Sequence, residues 1–300
     1  MRSGPSGNRI LRIGGTGRRG VGLIYHCPSI HSQALTENMD YTWLTSLASL
    51  ALFAGMLLLL DVGRRIGARR RLADPDGAQA GTGAVDGAVF ALLGLLVAFT
   101  FSGAATRFDE RRSLIVQETN DIGTAYLRVN LLPDSAQPVM RDLFRRYVDS
   151  RIEGYQVLRS SEDAGAAMAI FDRSTKLQGE IWNLAVAAGR TEGASPGATM
   201  LLLPALNQMF DIASTRMLAT RMHPPPVIFA MLFGLALVGA LLAGYGMAGS
   251  KGRNWIHMVG FAAVMAGAVY VIIDLEYPRL GLIRVDTFDQ ALVDLRAGMN

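Results

Sequence analysis

Four long runs of apolar residues dominate the chain. They cover residues 43–60, 87–105, 226–248 and 255–273, and none of them contains an Asp, Glu, Lys or Arg. A helix needs about 20 apolar residues to cross a hydrocarbon core of about 30 Å. Four such runs in one chain predict four transmembrane helices, so the pattern favours a multi-pass membrane protein over a soluble one.

The segment between the second and third runs, residues 106–225, has the pattern of a helical extramembrane domain. Apolar residues recur there at steps of three and four, which is typical of amphipathic helices. Breaks are predicted at residues 132–135, 160–163 and 190–198 and at the HPPP sequence of residues 223–226. No alternating strand pattern occurs. The predicted fold class is therefore all-α, with four transmembrane helices and a helical extramembrane domain between the second and the third.

The second apolar run continues into charged sequence without a helix breaker. Residues 95–112 read LLVAFTFSGAATRFDERR, and only Gly103 interrupts the pattern. A helix satisfies its own backbone hydrogen bonds, so it can leave a bilayer without a turn. We therefore predict one helix from residue 98 to residue 129. Three arginines, Arg107, Arg111 and Arg112, then lie at headgroup height, where long side chains reach the interface.

The two ends of the chain are predicted to differ. Residues 1–38 are rich in Gly, Arg and Ser and lack the apolar core of a signal peptide. We interpret them as a disordered leader or as an error in the assigned start site, with Met39 as a natural start. The first two transmembrane helices then occupy residues 39–105 and the last two residues 226–273. Residues 274–300 are predicted to form an amphipathic tail.

Small residues occupy one face of the second span and one face of the third. The set in the second span is Ala91, Gly94, Ala98, Ser102 and Ala105, and the set in the third is Ala236, Ala240 and Gly244. Small residues let helix backbones approach closely in a membrane. Both faces are therefore predicted to pack tightly, either within one subunit or between subunits.

The composition indicates which binding partners the chain is suited to. Charged residues make up 18% of the chain, and the isoelectric point is about 9.4. The arginines flank the apolar runs and form no single basic face, so we expect contact with anionic lipid headgroups and not with nucleic acid. Cys27 is the only cysteine, which excludes a disulfide framework and a cysteine-based metal site.

The sequence contains no catalytic or cofactor motif that we can identify. A Gly-rich phosphate loop, a His-Glu-x-x-His motif and a nucleophile elbow are all absent. We therefore expect neither an enzyme nor a bound cofactor. The acidic pairs Asp109–Glu110 and Glu118–Asp121 are interpreted as solvated helix faces, since charged residues on amphipathic helices usually face water.

Three stretches of the chain resemble a known family. They are LLGLLVAFTFSGAATRFDERR, LLPALNQMFDIASTRMLATRMHPPPVIFAMLFG and YVIIDLEYPRLGLIRVDTFDQALVDLRAGM, and they resemble the bacterial bestrophin-like domain proteins from about Met39 onwards. The order of elements is more remotely similar to that of true bestrophins, which are pentameric anion channels whose second helices line a hydrophobic neck. The resemblance implies a homo-oligomer, a pentamer, that conducts small anions across a bacterial inner membrane.

The resemblance also implies candidate pore residues. The chain shares a Leu-Leu-Gly sequence with true bestrophins. Matching the two at this sequence places Leu95, Phe99 and Gly103 in the neck, at a spacing of four along one helix face. Gly103 departs from the bulky apolar residue of true bestrophins, and the alternative is that Phe99 packs against protein or lipid. The three arginines at headgroup height would attract anions to the pore entrance.

Acidic residues after the last span are weak candidates for a metal site. Calcium-gated bestrophins hold the ion with a dense acidic cluster in this region. Here the carboxylates are Asp274, Glu276, Asp286 and Asp289, and they are interrupted by YPRLGLIRV. Calcium takes six to eight oxygen ligands, so no metal site is predicted. We expect these carboxylates to pair with Arg279 and Arg284 and not with a metal ion.

The sequence leaves two alternatives for the orientation of the chain in the membrane and two for its function. The first span has Asp40 before it and five arginines after it, which favours a cytoplasmic C-terminal end for that span. The bestrophin order of elements implies the opposite orientation, with the domain of residues 106–225 in the cytoplasm, and we adopt the latter. The alternative function is a non-conducting membrane scaffold or sensor whose helical domain binds a partner.

Overall fold

The computed structural model describes residues 41–74, 82–160, 164–192, 194–249, 252, 254–278 and 282–299. Over these ranges the chain consists of helices and turns, without a strand. The helices are α1 (Tyr41–Ala73), α2 (Thr82–Arg128), α3 (Gln137–Ser160), α4 (Ala164–Ala188), α5 (Pro196–Ala219), α6 (Pro226–Gly246), α7 (Trp255–Glu276) and α8 (Asp286–Ala297). The predicted leader, residues 1–38, lies outside the described residues.

Four of these helices are long and apolar enough to cross a membrane, namely α1, α2, α6 and α7. This confirms the four predicted spans. The HPPP sequence also acts as predicted, because α5 ends at Ala219 and α6 begins at Pro226. Proline suits the first position of a helix, where its missing N–H would have no partner within the helix.

Helix α2 is continuous over 47 residues, which confirms the prediction that the second span extends into the following domain. At 1.5 Å per residue it is about 70 Å long, more than twice the thickness of a hydrocarbon core. Buried residues of its first half, such as Leu93, cluster with residues of α6 and α7, and those of its second half, such as Ile122, cluster with residues of α5. A single rigid element therefore connects the apolar helices with the helical domain.

The domain after the second span is built around the second half of α2. Its core is formed by buried residues of α2, α3, α4 and α5, among them Phe144, Tyr147, Ile181 and Leu206. The C-terminal helix α8 joins this core through Leu292, which is fully buried. The predicted amphipathic tail therefore packs its apolar side against the domain.

Helices α1 and α6 pack closely against each other at glycine residues. A Cβ atom added to Gly244 would collide with the backbone oxygen of Leu60, and one added to Gly63 would collide with that of Leu241. The small face of the third span is thus packed within the subunit, and Ala240 is fully buried. By contrast, a Cβ atom added to Gly94 on the small face of α2 would meet no atom of the described residues within 4 Å.

We expect Gly244→Ala to lower stability by about 1–3 kcal/mol, because the new methyl group meets backbone and helices α1 and α6 must separate. Gly234→Ala in the same helix is the control. It has open space, so it should be neutral or should gain up to about 1 kcal/mol from helix propensity. Thermal unfolding in detergent, followed by circular dichroism, measures both. Equal midpoints for the two variants would contradict the α1–α6 contact.

Candidate functional site

A buried cluster of charges lies where α2 leaves its apolar half. Its centre is Glu276, the last residue of α7, whose side chain is fully buried. Arg107 on α2 donates Nε to both carboxylate oxygens, at 3.0 and 2.9 Å, and Nη2 to Oε2 at 2.8 Å. The Nδ1 atom of His223 lies 3.3 Å from Oε1, and its ring stacks on Tyr277. We call Arg107, Arg111, His223 and Glu276 the membrane-edge cluster.

Arg111 joins three chain segments in this cluster. Its guanidinium group donates to the backbone oxygens of Ala219 at 3.2 Å, Met222 at 2.9 Å and Glu276 at 2.9 Å. These oxygens belong to the ends of α5 and α7 and to the turn before α6, where carbonyl groups have no partner within a helix. With its side chain 8% exposed, Arg111 supplies those partners and ties α2 to α5, α6 and α7.

Arg112 faces the C-terminal helix. It forms an ion pair with Asp109 at 3.0 Å, and its guanidinium carbon lies 4.4 Å from the centre of the Phe288 ring. A cation over an aromatic face is attracted by the ring's electron distribution. All three predicted anion-attracting arginines therefore have acidic partners within the subunit. Their attraction of anions stays a prediction.

Three of the four carboxylates considered as metal ligands are engaged by the protein itself. Asp274 accepts the backbone N–H groups of Leu282 at 2.9 Å and Ile283 at 2.8 Å. Asp289 pairs with Arg216 on α5, and Glu276 pairs with the membrane-edge arginines. Within the described part of the chain, no three metal-ligating side chains come together in a suitable group. The Asp286 side chain and Arg279 lie outside that part.

A second charge network lies further along α2, inside the domain. Glu118 is fully buried and accepts from Arg151 Nε at 2.7 Å and Arg216 Nη1 at 2.6 Å, while the Tyr155 hydroxyl lies 3.3 Å from it. With Asp289, these residues form what we call the domain cluster, which joins α2, α3, α5 and α8. Burial alone would lower the pKa of Arg151, but Tyr155 and Glu118 raise it above its ordinary value.

The interpretation of Glu118 as part of a solvated face is wrong. Its side chain has no exposed surface, because it lies on the same helix face as the buried residues Ile115 and Ile122. That spacing of three and four residues was visible in the sequence and was the signal for burial. The arginines that neutralise Glu118 lie 33 and 98 residues away, and no local pattern pointed to them.

The three candidate pore residues have different surroundings. Leu95 and Phe99 are 52% and 67% exposed on the uncovered face of α2. Gly103 is half-buried beneath the Arg107 side chain, because a Cβ atom added there would lie 3.3 Å from Arg107 Nη1. The glycine therefore makes room for the guanidinium group that pairs with Glu276. The role of the three residues in a pore stays a prediction.

We expect Glu118→Gln to destabilise the protein by about 3–5 kcal/mol, because it leaves two buried guanidinium groups without their shared carboxylate. Glu110→Gln is the control: it makes the same change on the same helix at an exposed position, and it should cost less than about 0.5 kcal/mol. Thermal unfolding in detergent compares them. Similar midpoints would show that the domain cluster is not important for stability.

The fold has counterparts among solved structures. A bestrophin homologue from Klebsiella pneumoniae with a tyrosine-to-alanine substitution has a TM-score of 0.60 at 15% identity, over 81% of this chain and 98% of that one. A second variant, with leucine changed to threonine, has a TM-score of 0.59 at 16% identity, over 82% and 99%. At these identities the likeness concerns the fold. No curated protein matches the chain.

The sequence matches the family model for the bestrophin-like domain over residues 50–288. This range includes most of each candidate span, the membrane-edge cluster and every residue of the domain cluster except Asp289. It confirms the resemblance drawn from the three sequence stretches. The chain is a membrane protein with four apolar helices, and it belongs to the bestrophin-like family.

Proposed function

We propose that the chain forms a homo-oligomeric anion channel, a pentamer by family resemblance, in a bacterial inner membrane. In this proposal α2 of each subunit lines the pore. The observation that carries it is the exposure of α2 within one subunit. Only 11% of its membrane window is buried, against 28% for each of the other three candidate spans. A helix so poorly covered by its own chain is suited to packing around an axis with copies of itself.

The uncovered surface of α2 has two parts. One is the small face, where Ala91, Ala98 and Ser102 are exposed, and it would let a neighbouring helix approach closely. The other carries the exposed Leu95 and Phe99. A pore helix needs one surface for its neighbours and one for the channel axis, and α2 offers both.

Anion preference in this proposal has two sources. The apolar runs contain no carboxylate, so nothing in the membrane would favour cations. At the membrane edge, Arg107 and Arg111 share one buried carboxylate, Glu276, so these three side chains together carry one net positive charge in each subunit. Repeated around a ring, that charge would attract anions, and an apolar constriction at Phe99 would gate them by excluding water.

The non-conducting scaffold or sensor is the second candidate. It is favoured by the pairing of Arg107, Arg111 and Arg112 with carboxylates, since paired arginines attract a passing anion less strongly than free ones. Under this alternative the helical domain binds a partner, and Phe99 contacts lipid or a neighbouring helix. The two candidates differ in whether the purified oligomer conducts.

We expect Phe99→Ala to raise anion flux, because it widens and wets an apolar constriction. Phe101→Ala is the control, since it removes the same ring from another side of α2 and should leave flux unchanged. Flux is measured in liposomes with a halide-sensitive dye. Equal flux in wild type, Phe99→Ala and empty liposomes would remove the channel hypothesis. A monomeric mass in detergent would favour the scaffold.

The second expectation concerns orientation, with the helical domain outside the bilayer and in the cytoplasm. In a Cys27→Ser background, single cysteines replace Ser195 between α4 and α5 or Asn254 before α7, both at exposed positions. An impermeant thiol reagent added to intact cells should label the Asn254→Cys protein and should label Ser195→Cys only after permeabilisation. The reverse pattern would place the domain on the side of the membrane opposite the cytoplasm. It would favour the orientation indicated by the five arginines after the first span.

A further inference from the structure

A groove runs along one side of α2 at the membrane edge, and it consists of two cavities that meet at Arg107. The cavity on the membrane side has a volume of about 190 Å³ and lies between α2, the start of α6 and α7. The cavity on the domain side has a volume of about 430 Å³ and lies between α2 and the end of α5. The larger cavity falls within the usual range of sites for small molecules, about 300–1,000 Å³.

The membrane side of the groove is apolar. Its walls include Leu96, Ile228, Phe229 and Ile272, and Phe99 lies along it. Among the described residues of this lining, the hydroxyl group is that of Thr100, and it already donates to the backbone oxygen of Leu96 at 2.7 Å. This part of the groove therefore suits hydrocarbon better than water or a small ion.

The domain side of the groove is lined by the guanidinium groups of Arg107 and Arg111 and by the carboxylate of Glu110. Arg107 is 29% exposed and uses Nε and Nη2 to bind Glu276, while Nη1 lies over Gly103 towards the membrane side. Glu110 is exposed, lines the same cavity and lies about 4.5 Å further along the helix axis. Residues three apart share a helix face, so the two charges are neighbours. Leu218 and Met222 complete the wall.

The geometry points to a binding site for phosphatidylethanolamine. From the membrane outwards, the groove presents an apolar wall, a guanidinium group and a carboxylate. The lipid presents an acyl chain, a phosphate and a primary ammonium group in the same order. A free anion would leave the apolar wall unused, and phosphatidylglycerol would leave Glu110 without a cation. The ammonium group, with three N–H donors, can both neutralise and hydrogen-bond a carboxylate.

The site is tested by titrating delipidated protein in detergent with phosphatidylethanolamine or phosphatidylglycerol of matched acyl chains. Native mass spectrometry counts the bound lipids. We expect one preferred phosphatidylethanolamine for each chain. Glu110→Gln should reduce the preference over phosphatidylglycerol about two- to fivefold, the effect of an exposed ion pair. Glu180→Gln removes an exposed carboxylate on α4, away from the groove, and should leave the preference unchanged.

A steric pair of variants tests the position. Thr215 lines the domain side of the groove, and Ser214, the adjacent exposed residue, does not. Thr215→Trp should remove the preferred lipid, whereas Ser214→Trp should retain it. Equal retention by both variants would overturn the site, and equal binding of the two lipids by wild type would overturn the role of Glu110. Retention of no lipid by correctly assembled wild type would also overturn the site.

Discussion

The structure depends on neutralising carboxylates that are buried against α2. Glu276 and Glu118 have no exposed surface, and each is shared by two arginines. Removing an ion from water costs several kcal/mol, and only close partners of opposite charge recover that cost. The position of each buried carboxylate therefore determines where the arginines must lie. This constraint draws α3, α5, α7 and α8 towards one long helix.

The two clusters couple the apolar helices to the domain. The membrane-edge cluster joins α2 to the end of α7 and to the turn before α6, and the domain cluster joins it to α3, α5 and α8. Since α2 is unbroken between them, a displacement of the domain is transmitted along the helix and is not absorbed by a linker. In the proposed channel, the same helix carries the pore surface.

The two sides of α2 have opposite properties. The inner side is held by charge pairs and by the buried residues Leu93, Ala104, Ile115 and Ile122. The outer side carries small residues and the exposed Phe99, and the described part of the subunit leaves it uncovered. Third-span residues of similar size, such as Ala240, are fully buried. The difference lies in the surroundings, because α6 packs against α1 and α2 within the subunit, whereas none of the described helices packs on the outer side of α2.

The sequence alone determined the four spans, the unbroken helix α2 and the breaks between helices at prolines. Apolar length, helical period and the geometry of proline are local properties, so residues near one another in the chain suffice to predict them. Only the tertiary structure decided the partners of Glu276 and Glu118, the space that Gly103 leaves for Arg107, and which small face is covered. The helical spacing can indicate that a charged residue such as Glu118 is buried, but it does not indicate which residue neutralises the charge. The partner of a buried charged residue lies up to 169 residues away and is brought close only by packing of the helices.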